Sequence, residues 1–310
     1  MILTVTPNPM LDKIISLARF SLGEVQRAQA MTTIAGGKGV NVSRALLALG
    51  ESTLATGFLG GHTGQAIRGL LDKEGLPHHF VEIESTTREG FTFVEAESGA
   101  RTAVFEPGHR ITASEVNALL KMTAELLPQC TAMALCGSMP VPGFDDMYAS
   151  LIRLAHQHSV PVLLDSYHEP MRLGMRAKPE FCKPNREEAR ATFGVDCRAA
   201  GGMRQLLHTL ASQGVVGAFV TDGDRPLGAT WNGETYSIKP PAIRYVNALG
   251  SGDAFVAAFL YGWVREMALE ELARFAVAAG AVNASHELPG YANLQEIEEL
   301  MAQIEIQRLE

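Results

Sequence analysis

The stretch Ile243-Arg244-Tyr245-Val246-Asn247-Ala248-Leu249-Gly250-Ser251-Gly252-Asp253-Ala254-Phe255-Val256-Ala257-Ala258-Phe259-Leu260 passes from a β-type run through a glycine-rich turn into an apolar helical run. Two glycines let the backbone turn tightly and leave consecutive N–H groups exposed at a helix N-terminus, where the unpaired amides and the helix dipole favour an anion. A phosphate suits that position. Asp253 stands at the mouth of the same anion hole, and its carboxylate has two readings: a cap on the helix, or a base that takes the proton of a substrate hydroxyl. Gly-x-Gly-Asp before a helix also occurs for capping alone, so this segment does not choose between them.

A second motif lies far upstream. Ala35-Gly36-Gly37-Lys38-Gly39-Val40-Asn41-Val42 again sets clustered glycines ahead of a helical pattern, Val42, Ala45, Leu46 and Leu49, which closes at Gly50. Three glycines in four positions suit close approach of backbone to a small ligand, and Lys38 and Asn41 supply donors there. A tight turn with a solvated lysine is the alternative.

Bulk properties narrow the field. The 310 residues are enough for one large α/β domain, or a domain with a subdomain. A chain that is 46% hydrophobic and 19% charged is neither disordered nor fibrous. The net charge of −8, with no Lys/Arg run, argues against a nucleic-acid partner. A phosphate-bearing substrate must then be held by a few placed cations. The start, Met1 to Pro7, lacks a basic region followed by a long apolar one, and the run of about 18 apolar residues needed for a membrane helix occurs nowhere. A cytoplasmic protein without a membrane partner is expected. Cys130, Cys136, Cys182 and Cys197 show neither a C-x-x-C pair nor zinc-like spacing, and read as reduced thiols.

Short β-branched runs alternate with helical periodicity along most of the chain, the pattern of βαβ units and a parallel sheet covered on both faces. Buried strands are expected at Ile2 to Thr6, Thr53 to Phe58, Ala132 to Cys136, Val162 to Asp165, Phe181 to Lys183 and Gly217 to Thr221. Helices are expected at Gln65 to Glu74, Ala113 to Leu127, Gly143 to His158, Arg186 to Phe193, Ala200 to Gln213, Leu269 to Leu288 and Leu294 to Gln307. Residues 13–33 and 87–107 break the rhythm with period-two alternation, and are expected to pair into a small β lid on a discontinuous α/β domain of residues 1–12, 34–86 and 108–310. Such a sheet covers a pocket or buries its outer face in a homodimer.

Six ordered motifs together resemble the PfkB group of the ribokinase superfamily, in particular its sugar-phosphate branch. They are Thr6-Pro7-Asn8-Pro9-Met10-Leu11-Asp12; Gly23-Glu24-Val25 with Arg27-Ala28; Gly36 to Val42; Gly137-Ser138-Met139-Pro140; Lys183-Pro184-Asn185 with Glu188; and Val246-Asn247 leading into Gly250 to Asp253. The resemblance implies a ribokinase-like three-layer α/β/α fold with a mostly parallel central sheet and a β lid. It implies ATP-dependent phosphorylation of a ketohexose phosphate hydroxyl, with Mg²⁺ and ATP as cofactor and co-substrate. Asp253 would be the base, with Gly250, Ser251, Gly252 and the amides from Ala248 onward as the anion hole. Asp12, Gly36, Gly37, Lys38, Asn41 and Ser138 would receive the sugar, and Arg27 and Arg88 would clamp its phosphate. Lys183, Asn185, Thr221, Gly223 and Asn283 would bind nucleotide, and Glu188 would hold Mg²⁺ through water. Asn185 and Glu188 also read as an ordinary helix cap with an acidic first turn.

The chain departs from that branch at four places, the mildest being Ser251 where alanine is usual, a small residue that leaves the amides exposed. Glu89-Gly90 follows Arg88 where a polar or basic strand is usual, and a carboxylate beside a phosphate site repels it, so a kinase of an unphosphorylated sugar is the second reading. Ala248 and Pro226 stand where Thr and a glycine are usual on the nucleotide side. They keep open a third reading, a catalytically weak protein that binds sugar or nucleotide.

Overall fold

The computed structural model describes residues 1–140 and 143–309. Among them are strands β1 (Ile2–Thr6), β2 (Met10–Leu17), β3 (Ala30–Gly36), β4 (Thr53–Leu59), β5 (Val81–Glu82), β6 (Glu89–Glu95), β7 (Arg101–Phe105), β8 (Ala132–Cys136), β9 (Val162–Asp165), β10 (Phe181–Cys182), β11 (Gly217–Asp222), β12 (Arg225–Trp231), β13 (Glu234–Lys239) and β14 (Glu305–Leu309). The helices are α1 (Lys38–Ala48), α2 (Gly61–Glu74), α3 (Ala113–Leu126), α4 (Met147–Gln157), α5 (His168–Arg176), α6 (Arg186–Phe193), α7 (Gly202–Ser212), α8 (Ser251–Trp263), α9 (Leu269–Ala284) and α10 (Leu294–Met301).

Ten strands form the central sheet in the order β14-β13-β12-β11-β10-β9-β8-β1-β4-β5. From β5 to β11 every neighbour is parallel, and β12, β13 and β14 add an antiparallel edge. The continuous apolar sequences of β1, β8 and β9 are buried along their whole length because helices cover both faces. On one face α1, α8, α9 and α10 enclose a core in which Phe259 meets the rings of Phe181 at 4.7 Å and Phe219 at 5.0 Å. The other face is packed by α3, α4, α5, α6 and α7. This is the three-layer α/β/α architecture expected from the sequence.

The second sheet has four strands in the order β3-β2-β6-β7. Two antiparallel pairs meet through a parallel contact between β2 and β6. Its inner face packs on α2 through Leu11, Ala35, Ile67 and Leu71. Asp12 and Gly36 lie on its strands rather than beside them, so the small sheet carries part of the cavity wall itself.

Several segments differ from expectation: the helix expected from Gly143 begins at Met147, and the one expected from Gln65 begins already at Gly61. Ile243 to Val246 is irregular, because Pro240-Pro241 cannot continue a ladder. The helix expected over Leu294 to Gln307 stops at Met301, and the chain reverses into β14. Leu269 to Leu288 ends at Ala284 for the same kind of reason, a turn into the glycine-bearing segment around Gly290. The hairpin of β12 and β13 was not anticipated, although Asn232-Gly233, both at positive φ, is a strong two-residue turn signal. Pro226 sits in β12 at the irregularity between Val220 and Asp222 of β11, a position where the ladder needs no donor from it.

Candidate active site

Parallel strands deliver their carboxyl ends to one rim, and there the cavity opens. It has a volume of about 860 Å³ and is lined by Thr6 at the end of β1, Gly137 and Ser138 after β8, Lys183 after β10, and Thr221 to Asp224 across the end of β11 and the turn after it. Ligands of open α/β sheets bind on this side. Asn8, Met10, Asp12, Ile34, Gly36 and Phe105 form the wall toward the small sheet, and Pro240, Pro241, Ile243, Tyr245, Val277 and Ala281 form an apolar slot at the far end.

The glycine-rich turn becomes the N-terminus of α8. Gly250 is its N-cap at φ 83°, a left-handed conformation that suits only glycine here, because a Cβ would lie 2.7 Å from the Gly290 nitrogen. No side chain caps this helix. Ala248 N–H donates to the Tyr245 hydroxyl, Leu249 N–H to Asn247 Oδ1 and Ser251 N–H to the Ala248 carbonyl. That corrects the expectation of a hole running from Ala248 through Gly252. Among the described residues the free amides at the turn are those of Gly250, Gly252 and Asp253. Lys183 Nζ stands over them, 3.1 Å from where a Gly252 Cβ would be, so cation and amides converge on one anion position.

Asp253 is buried and does not cap. Its Oδ2 accepts 2.8 Å from Asn41 Nδ2 of α1. Burial, reinforced by Asp165, pushes the carboxyl up to about 6, against the pull of Lys38, the Asn41 N–H and Lys183. A carboxylate of that affinity is largely ionised at pH 7 yet accepts a proton readily. Asp165, at the end of β9, was not singled out in the sequence. It is fully buried, and although burial alone would raise its pKa, Lys183 at 3.3 Å and Lys38 at 2.9 Å hold it below the usual carboxylate value. The only signal for it was an acid closing an apolar run.

Lys38 also reaches Glu188 Oε1 at 2.7 Å, while Glu188 Oε2 accepts from Asn185 N–H and Asn185 Oδ1 from Glu188 N–H. Asn185 and Glu188 therefore form a reciprocal capping box on α6, the plainer of their two sequence readings. Burial would lower the Lys38 pKa, but Asp165, Glu188 and Asp253 raise it well above normal, so it stays charged.

Asp12 is buried and accepts from Thr92 Oγ1 at 3.2 Å; burial raises its pKa more than that hydrogen bond lowers it. Ser138 accepts from Asn8 Nδ2 at 3.0 Å. Asn41 faces Asp253, with one amide hydrogen left for a ligand. Gly36, Gly37, Thr221, Gly223, Lys183 and Asn185 all line the cavity.

Three expected residues do not: Glu188, held in the capping box of α6, Arg27 and Asn283. Arg27 is exposed on the loop between β2 and β3 and is absent from the cavity wall, so the Arg27–Arg88 clamp is not assembled within one chain. Asn283 is fully buried behind the turn; it donates to the Leu249 carbonyl at 2.9 Å and Ser251 Oγ at 3.1 Å, and accepts from Gly290 and Tyr291 N–H. All its capacity goes to protein, which makes it a support of the turn rather than a nucleotide contact.

An anion hole, a flanking lysine and a carboxylate poised near neutrality, set at the carboxyl ends of parallel strands, define a phosphoryl-transfer site. The sequence pattern of pfkB family carbohydrate kinases matches residues 6–296, and the chain belongs to that family. Its activity is ATP-dependent phosphorylation of a carbohydrate. Among solved structures, a possible 1-phosphofructokinase from Thermotoga maritima is 26% identical, with 100% of this chain and 99% of that one covered at a TM-score of 0.91. Phosphofructokinase-2 from Escherichia coli, in complex with substrates and products, is 25% identical over 97% of this chain and 98% of that one, at 0.88. Ribokinase from Arabidopsis thaliana, at 20% identity, 96% and 98% coverage and 0.76, shares the fold.

Proposed function

We propose that this kinase transfers the γ-phosphoryl group of Mg-ATP to a hydroxyl of a ketohexose phosphate. One observation carries the choice of a phosphorylated acceptor. Arg88 lines the sugar end of the cavity, and among the described residues its guanidinium donates only to two backbone carbonyls, Asn8 at 3.0 Å and Glu106 at 3.4 Å, with Nε unpartnered. Burial already lowers its pKa. A partly buried cation without a carboxylate partner among the described residues is a site built for an incoming anion.

Glu89 does not oppose this. It is held 2.6 Å from Lys13, and Gly90 is explained by sterics, since a Cβ there would lie 2.8 Å from Met10 Sδ and 3.0 Å from Phe105 Cδ1. The relatives that share the 25–26% identity range and are described as phosphofructokinases support the same substrate class.

In this reading Asp12 and Ser138 orient the sugar hydroxyls, and Asp253 takes the proton of the hydroxyl that attacks. The free amides of Gly250, Gly252 and Asp253 with Lys183 stabilise charge on the transferring group, the main task in this chemistry. The apolar slot of Pro240, Pro241, Ile243 and Tyr245 receives the base of the nucleotide, with Thr221, Gly223 and Asn185 beside its phosphates. Mg²⁺, when bound, would neutralise phosphate charge. Both Glu188 oxygens are already engaged, and among the described residues no group of three acidic, His or Cys side chains can hold a metal, so the residues fit an ion that arrives on the nucleotide and meets Glu188 through water. The small sheet acts as the lid, and its outer face, with Met31 and Val104 exposed, pairs with a second copy.

An ADP-release assay over fructose 1-phosphate, fructose 6-phosphate, tagatose 6-phosphate and the free sugars fructose, tagatose and ribose tests the reading. Preference for a phosphorylated ketose is expected; preference for a free sugar overturns it.

A further inference from the structure

Arg44 lies one turn along α1 from Asn41, outside the cavity wall. Its planar fork is completely used. Nη1 donates 2.7 Å to Asn41 Oδ1 and 3.5 Å to the Pro289 carbonyl, Nη2 donates 2.9 Å to the Ala35 carbonyl and 3.1 Å to Glu74 Oε1, and Nε donates 2.7 Å to Glu74 Oε2. The bidentate pair with Glu74 at the end of α2 fixes the fork, and the fork then fixes what it touches.

What it touches decides the state of Asp253. A guanidinium has no acceptor, so the end of the Asn41 amide facing Arg44 must be the oxygen. The nitrogen end is thereby turned to Asp253 Oδ2, as observed at 2.8 Å. Turned by 180°, the same amide would present oxygen to the carboxyl group. Two acceptors cannot share a hydrogen bond, so Asp253 would have to carry a proton and donate it to Asn41. A protonated Asp253 takes no proton from a substrate.

We propose that Arg44 is a positioning residue of the phosphoryl transfer: through Oδ1 of Asn41 it selects the amide orientation that keeps Asp253 an unprotonated acceptor. Arg44 also reaches Pro289, next to the glycine that packs on Asn41, so the support extends to the segment behind the anion hole. The other charged groups facing Asp253 are Lys38 on α1, Asp165 at the end of β9 and Lys183 after β10. None of them contacts the Asn41 amide oxygen. The inference rests on the reading of Asp253 as the base.

A double-mutant cycle on the full chain tests it, with Arg44→Gln, Asn41→Ala and the pair. Arg44→Gln should lower kcat about tenfold and move the acid limb of the kcat–pH profile up by about one unit, the loss expected for a hydrogen bond to a charged group. In the Asn41→Ala background the same change should alter kcat less than twofold. Additive losses, an unmoved acid limb, or a lower melting temperature with unchanged kinetics would each overturn the proposal. Arg44→Lys, which keeps the charge beside Glu74 but cannot span Glu74 and Asn41 together, serves if the Gln variant folds poorly, with the same expectations. A carboxyl ¹³C NMR titration, with Asp253 assigned by its loss in Asp253→Asn, needs no turnover. A rise of about one unit in the Asp253 midpoint of Arg44→Gln supports the proposal even if the sugar-phosphate assay is silent, and an unmoved midpoint refutes it even if that assay succeeds.

Discussion

At the scale of single residues, Asp253, the base in the proposed reading, would combine a functional gain with a cost to the fold. Its pKa of about 6 in the folded chain exceeds the ordinary aspartate value of 3.8, so the folded state binds protons more tightly than the unfolded one between those values. Stability contributed by this group is therefore present at low pH and is lost as pH rises through about 6, whereas activity moves the opposite way. Asp253→Asn should lower kcat by roughly 10²-fold or more at pH 7.5. It should also stabilise the protein by up to about 3 kcal/mol at pH 8, with the gain vanishing near pH 4, which thermal melts across that range will read. Wild-type kcat should fall below about pH 6 as the carboxylate takes up its proton. Arg88→Gln should raise KM for the phosphorylated sugar by about 10²-fold, the loss of a charge-assisted contact, and leave turnover on any free sugar within a few-fold. Steady-state kinetics on both substrates separate those effects.

Elements show why some of this was visible beforehand. β1, β8 and β9 end where the sequence says because their apolar runs are continuous and both faces are covered, so nothing competes with the strand reading. The capping box at α6 was equally legible from Asn185 and Glu188. Asp165 was not, since its importance comes from Lys38 and Lys183, which lie 127 and 18 positions away and meet it only through the parallel sheet. Arg27 and Asn283 were misplaced for a related reason: a motif gives a residue's neighbours in sequence, not the direction in which its side chain leaves the backbone. The box at α6 gives a clean separation of roles. Asn185→Ala should cost about 1 kcal/mol through the lost cap, whereas Asn185→Ser keeps a capping oxygen and should retain stability. If Asn185 also contacts nucleotide, both variants should raise KM for Mg-ATP, and comparing chemical denaturation with nucleotide saturation curves distinguishes cap from contact.

For the whole molecule, the alternation of strand and helix announced the three-layer architecture, and the two segments outside that alternation announced the small sheet. The antiparallel edge of β12 to β14 was harder to see, because such strands are short, mixed in polarity and defined mainly by the turns between them. The small sheet leaves Met31 and Val104 more than half exposed. A homodimer is expected in solution, and Val104→Lys should convert it to a folded monomer by sedimentation equilibrium. The segment Pro289–Gly290 seals the back of the catalytic turn, against Gly250 on one side and Asn41 on the other. Since translation proceeds from the amino terminus, Asp12, Asn41, Asp165 and Asp253 all emerge from the ribosome before that seal exists. A nascent chain thus holds every group of the proposed site before it has the segment that backs the turn around which they are set, so under this reading the ability to consume ATP waits for Pro289 and Gly290.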